Sequence, residues 1–160
     1  MNTQTQQVMF SANSDEWSTP DDLYQKLNAE FNFTLDPCST DLNNKHMNHF
    51  TINDNGLEKS WDGEIVFMNP PYSAIKQWIQ KAYNESKYSN ATVVALIPSR
   101  TDTLYWNEYC MDGDICKEIR FIKGRLKFGS QKNSAPFPSA IIIFSPPEKL
   151  YPKISYMERK

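Results

Sequence analysis

At 160 residues, with 39% hydrophobic and 13% aromatic side chains, the chain is sized for one domain whose core needs no disulfide staples. A formal net charge of −2 excludes a protein that coats nucleic acid by overall basicity, so any such contact has to come from a local patch. Cys38, Cys110 and Cys116 are an odd number at unrelated spacings, which argues for a reducing cytoplasm, and neither a membrane-length apolar run nor a secretory start is present in "MNTQTQQVMF" or beyond.

Residues 1–15 are polar and read as a flexible N-terminal segment; the domain is expected over 16–145 and a C-terminal tail over 146–160. "STPDDLYQKLNAEF" carries a helix start, with Thr19 as N-cap, Pro20 at the first position, and Asp21 and Asp22 against the positive end of the dipole. Leu23, Leu27 and Phe31 recur every four residues and mark its buried face. "FTLD" (33–36) reads as a short strand entering a polar loop, and "EIVFMN" (64–69) as a strand apolar on both faces. A helix over 74–87 and a buried strand over 91–98 complete a βαβ unit, the signature of an α/β layered fold. "TLYWNEY" predicts a short helix, "EIRFI" and "RLKF" predict strand pieces around Gly124, and "SAIIIF" (139–144) predicts a further buried strand. The expected sheet is mostly parallel, with an antiparallel hairpin at its C-terminal edge.

"VFMNPPYS" (66–73) concentrates the chemistry. Two adjacent prolines fix φ, remove donors and hold Asn69 extended at the end of a strand. The comparable "IIIFSPPEK" ends in Glu148, which cannot stack on a base; "NPPY" ends in Tyr72, which can. An exocyclic amine on a purine is planar and a poor nucleophile. Acceptors on its N–H groups stabilise the positive charge that grows as nitrogen attacks. The Asn69 side-chain oxygen and the Pro70 carbonyl offer two such acceptors, aimed without reorganisation by the stiffness of Pro70 and Pro71. Tyr72 offers a face for a flat base, which in a duplex must first be rotated out of the stack. A stiff turn that merely ends a strand is the plainer alternative.

This motif resembles the catalytic motif of amino-methyltransferases that use S-adenosylmethionine, chiefly the DNA adenine-N6 class. The wider pattern resembles the phage and prophage DNA adenine methyltransferase (Dam-type) family through "EWSTPDDLY", "FTLDPCST", "DNGLEKSW", "VFMNPPYSAIKQWIQKA", "FIKGRLKF" and "APFPSAIIIF". The resemblance implies a single-domain Rossmann-like methyltransferase sheet, S-adenosylmethionine as cofactor, double-stranded DNA as partner with GATC as the first target to test, and the cytoplasm of a bacterial host as location. It also implies that Thr19 and Pro20 line the methionine end of the cofactor. Asp36, Pro37 and Cys38 would begin the cofactor loop, Asp54 would accept from the cofactor adenine, and residues 69–72 would carry catalysis. Trp17 is either a core aromatic or a wall of the cofactor pocket, and Asp54 either a cofactor contact or the shaper of a turn. The chain departs from the broader pattern where "DPCSTDLNN" lacks a Gly-x-Gly, and the usual acidic ribose contact has no counterpart.

Lys117, Arg120, Lys123, Arg125, Lys127 and Lys132 cluster around Phe121 and Phe128 against one acid, Glu118. Lys123, Arg125 and Lys127 are the phosphate-contact candidates there, together with Arg100 just past the strand ending "IPSR". A solvated edge strand protected by charge would look similar. Target reading is expected from the loops 99–117 and 129–138 or from a second copy of the chain. A nucleophilic Cys38 and a zinc site on His46 and His49 are both disfavoured, the first because Pro-Cys lies outside the catalytic loop, the second because no further Cys pair supports it. Cytosine N4, an RNA base or a protein glutamine remain alternative substrates, and a nucleic-acid-binding module without activity is the alternative from another class.

Overall fold

The computed structural model describes residues 17–111, 114–147 and 152–159; the expected N-terminal segment 1–15 lies outside them. Helix α1 (Asp21–Phe31) begins one residue later than the sequence suggests. Pro20 is the cap, its carbonyl accepting the Tyr24 N–H at 3.0 Å, and the Thr19 hydroxyl makes no capping bond. The helix stops at Asn32, whose φ of 55° takes the left-handed region that asparagine tolerates. Leu23, Tyr24 and Leu27 are buried on one face.

Strand β1 (Ile65–Met68) pairs in parallel with β2 (Thr92–Pro98), and α2 (Ile75–Tyr88) makes the crossover between them. After a short π-helical turn at Trp106–Cys110 come β3 (Cys116–Ile122), β4 (Ser139–Phe144) and β5 (Lys153–Met157). The sheet order is β1-β2-β4-β3-β5.

The structure departs from the sequence expectations at five points. The sheet is mixed, because β4 is antiparallel to both β2 and β3 while β1–β2 and β3–β5 are parallel. The β3–β4 hairpin is therefore interior, with β4 buried along its whole length. Residues 153–157, which lie within the expected tail, supply the edge strand beyond β3. "RLKF" is not a strand: Gly124 at φ 73° turns the chain away, and Leu126 and Phe128 pack under the sheet face while Lys127 stays exposed. "FTLD" shrinks to single parallel bridges, Leu35 to Val66 and Asp36 to His49. There the Thr34 hydroxyl takes the Ile65 N–H at 2.8 Å, a donor that a ladder carbonyl would otherwise use, and Pro37 lacks an N–H to continue.

The two faces of the sheet hold separate cores. α2 and the Trp106 turn cover one face, where Val66, Met68, Val93, Ala95, Ile97, Ile142 and Phe144 are buried. On the other, α1 and the stretch carrying Leu126, Phe128 and Ala135 cover Phe67, Val94, Leu96, Ile141 and Ile143. Covering both faces explains why β2 and β4 read as unbroken apolar runs. Arg120 anchors α1 to the sheet through a two-pronged pair with Glu30 at 2.6 and 2.7 Å, and also pairs with Glu118 at 2.9 Å. These two carboxylates push the guanidinium further up, and Arg120 in turn holds the Glu118 carboxyl below its ordinary range.

Candidate active site

The carboxyl ends of β1 and of the 33–36 stretch point to the same edge, and a cavity of about 600 Å³ opens there. It brings together Trp17, Thr19, Asp36, Pro37, Cys38 and all four residues of the "NPPY" elbow. Its opposite wall is the loop after Pro37, including Asn53, Asn55 and Gly56. Gly56 is needed for closeness: a Cβ there would stand 2.1 Å from the Pro37 carbonyl oxygen.

The elbow behaves as its prolines dictate. Pro71 is extended (φ −61°, ψ 122°), and its carbonyl accepts the Ala74 N–H at 3.1 Å to close a 3-10 turn over Tyr72–Ala74 that leads into α2. Asn69 is half-buried, and both ends of its amide are engaged. Nδ2 donates to the Trp17 carbonyl at 2.7 Å and to the Thr19 hydroxyl at 3.0 Å, while Oδ1 accepts from the Tyr72 hydroxyl at 3.2 Å. A carbonyl cannot donate, so the Trp17 oxygen settles which end of the amide faces it. Oδ1 therefore lies on the Tyr72 side with one lone pair left to accept from a ligand.

Tyr72 stands in an aromatic cluster. Its ring centroid is 6.0 Å from that of Trp17 and 5.6 Å from that of Phe137, and Trp17 packs on Phe128 at 5.3 Å and on Phe137 at 5.1 Å. Burial raises the Tyr72 hydroxyl above its ordinary pKa, with the Arg100 charge acting in the opposite sense. The phenol thus stays protonated and serves as a donor. Burial, followed by the nearby Asp36, pushes the Cys38 thiol well up, while the Asn69 backbone N–H acts the other way. A thiol so placed is not a thiolate nucleophile at neutral pH.

Asp36 is buried, and its Oδ2 accepts the Lys45 N–H at 2.9 Å. Burial nevertheless raises its carboxyl above the ordinary range, and the Lys45 and Cys38 N–H groups offset this only partly. Asp54 is different. It is exposed outside the cavity wall, closing a turn by accepting the Thr51 N–H at 2.8 Å and hydroxyl at 2.9 Å, which hold its carboxyl low. In the "NDNG" turn it is Asn53 and Asn55 that face the cavity. Pro20 lies in a neighbouring cleft shared with Lys45 and Lys127.

The cation candidates are spread out. Arg100 is exposed just beyond β2, close enough for its charge to act on Tyr72. Lys123 is exposed and paired with Glu158 at 2.5 Å; Arg125 is exposed, its backbone carbonyl taken by Arg159 at 2.6 Å. His46 accepts the Asn48 N–H at 3.0 Å, and His49 meets Asp41 at 2.9 Å, which raises its pKa. Among the described residues no group of three or more His, Cys, Asp or Glu side chains is placed to hold a metal ion, and no helix is long and apolar enough to cross a membrane.

Sequence reasoning missed Lys45, Asn53, Asn55, Phe67 and Trp78 in the cavity wall, and Phe128 and Phe137 in the aromatic cluster. Phe137 had a readable signal. It sits between two prolines in "PFPS", held as stiffly as the elbow itself.

A family model described as DNA N-6-adenine-methyltransferase (Dam) matches residues 6–160. A protein of Haemophilus phage HP1 named DNA N-6-adenine-methyltransferase is 31% identical over 143 residues, which is 84% of this chain and 81% of that protein. A solved structure of a predicted O-methyltransferase from Agrobacterium tumefaciens matches with a TM-score of 0.35 and 17% identity over 61% of this chain and 42% of that one, too slight a likeness to carry an argument.

Proposed function

The chain belongs to the DNA N-6-adenine-methyltransferase (Dam) family, and from that premise we propose that it transfers a methyl group from S-adenosylmethionine to the N6 amine of an adenine flipped out of double-stranded DNA. The observation that supports this most directly is the fixed Asn69 amide, whose Oδ1 faces Tyr72 at the mouth of a cavity large enough for a nucleoside-sized ligand.

The cavity walls fit such a cofactor. Trp17, Phe67 and Trp78 give apolar faces, and Asp36, Asn53, Asn55 and Lys45 give polar partners around them. Asp36, Pro37, Cys38 and Trp17 are the residues that would hold it. When bound, the cofactor supplies a methyl group on a positively charged sulfur. There the N6 lone pair would form the N–C bond as the methyl–sulfur bond broke, the bonding electrons going to sulfur and the surplus proton to water. The chain's own part is to accept and orient: Asn69 Oδ1 and the Pro70 carbonyl take the two N–H groups of the amine, and the Tyr72 ring covers the face of the base. With the Tyr72 phenol protonated, the elbow itself carries no charged group, so the acceptors it offers the forming positive charge are neutral dipoles.

Arg100, Lys123, Arg125 and Lys127 are the cations we assign to the DNA backbone, and the host cytoplasm is the place where such DNA would be met. The test is direct. The protein is expressed in a bacterial host that lacks adenine methylation, and the recovered DNA is challenged with endonucleases blocked by, or dependent on, methylated GATC. Protection at GATC supports both activity and site; methyladenine elsewhere keeps the activity and replaces the site; none overturns the reading.

A further inference from the structure

We infer that the segment 17–19 is an orienting clamp on the catalytic amide and that Thr19 is its side-chain member, a positioning residue rather than a cofactor contact. This rests on the reading of Asn69 as the acceptor for the adenine amine. The two Nδ2 hydrogens have two different partners, the Trp17 carbonyl at 2.7 Å and the Thr19 hydroxyl at 3.0 Å. One bond decides which way round the amide sits. Two bonds from points on separate residues also fix the plane in which it lies, and with it the line along which Oδ1 presents its free lone pair.

The clamp has supports of its own. Thr19 is 4% exposed and makes no capping bond to α1, so its hydroxyl is left to serve Asn69. The Ser18 carbonyl is tied to the Gly129 N–H at 2.8 Å, and the Trp17 indole is packed against Phe128 and Phe137. Helix start and elbow, some fifty residues apart in the chain, meet in this one amide.

The test compares Thr19→Val, which keeps the shape and loses the acceptor, with Thr19→Ser, which keeps the acceptor. Wild type and both variants are assayed for adenine methylation and, separately, for S-adenosylmethionine binding by calorimetry. Thr19→Val is expected to lower kcat about tenfold, the scale of one lost hydrogen bond at a reacting group, with cofactor Kd changed less than about twofold. Thr19→Ser is expected to stay near wild type. In nitrogen-15 spectra, the Asn69 side-chain amide, assigned by its disappearance in Asn69→Ala, should shift in Thr19→Val and hold its position in Thr19→Ser. If Thr19→Val does not fold, Thr19→Ala takes its place under the same readings. An unchanged kcat, an unmoved Asn69 amide, or a weakened cofactor Kd at wild-type kcat would overturn the clamp. Absence of methylation by wild type would instead sink the functional reading, and the amide spectrum would still decide the clamp.

Discussion

In the proposed reaction a single amide carries the chemistry, so substitutions at the elbow separate its parts. Asn69→Ala removes an acceptor needed as charge grows on nitrogen and is expected to reduce kcat by at least about a hundredfold, with cofactor Kd within twofold by calorimetry. Tyr72→Phe keeps the ring and loses only the donor to Oδ1, so kcat should fall no more than about tenfold. Tyr72→Ala also loses the base-stacking face, worth about 1–3 kcal/mol. Equal losses in the two Tyr72 variants would argue against stacking. The elbow was legible in the sequence because proline declares its own geometry. Thr19 was misread because a hydroxyl before Pro-Asp-Asp has an obvious local use as a cap, and only tertiary contact shows its remote partner. Asp54 was read either as a cofactor contact, by family resemblance, or as the shaper of a turn; its carboxylate closes the turn on Thr51, while Asn53 and Asn55 line the cavity.

Between elements, one buried acid does much of the joining. Glu85 on α2 accepts the Trp61 N–H at 3.0 Å and pairs with Lys81, which also reaches the Lys59 carbonyl at 2.7 Å. This ties the segment before β1 to the crossover helix. Glu85→Ala leaves a half-covered ammonium without its carboxylate and a buried N–H without an acceptor, a loss of about 3 kcal/mol, or about 6–12 °C in Tm for a domain of this size. Glu85→Gln retains an acceptor and should lose about half as much. Thermal melts of the two variants decide it, and equal melting of both with wild type would show that the joint is idle. Elements with strong periodicity or continuous apolar runs, α2, β2 and β4, were readable. "FTLD" and "RLKF" were not, since a Thr34 hydroxyl and the turn at Gly124 divert backbone pairing in ways that alternation alone does not show. β5 escaped notice because it is an exposed edge strand with Ile154 and Tyr156 facing solvent, far from the continuous apolar pattern of an interior strand.

For the whole molecule, pH and salt report on opposite sides of the site. Burial raises the Asp36 carboxyl above its ordinary value of 3.8, so the folded chain holds that proton more tightly than the unfolded chain does. Stability is then lost as pH rises from 3.8 through the raised value, and regained as it falls. Asp36→Asn removes the titration. Its Tm should exceed that of wild type at pH 7, and the gap should close as pH drops through that window. A gap independent of pH would deny the cost of burying the charge. Cofactor affinity should weaken in the same variant, a trade of function for stability. On the DNA side, Lys127→Ala should reduce the slope of log affinity against log salt by about 0.9 and leave target choice unchanged; an unaltered slope would place that lysine off the DNA. The layered α/β plan was legible from the βαβ unit and the antiparallel β3–β4 hairpin from its turn-rich connection, whereas its interior place was not, because the strand that closes the edge, β5, lies in the expected tail.

That reversal has a bearing on how the protein can change. Because β4 runs against its neighbours, its first residue, Ser139, lies beside Pro98 at the end of β2, and the Pro138 carbonyl bonds the Ser99 N–H at 2.9 Å. The return stretch of about fifteen residues from Gly124 therefore delivers Phe137 to Tyr72 at the cavity edge, with Leu126, Phe128 and Ala135 anchoring it in the second core on the way. Between those anchors residues 130–134 are mostly exposed, so lengthening or recasting them leaves every strand in register. A fold this small thus keeps a surface turn free to vary beside contacts that stay fixed.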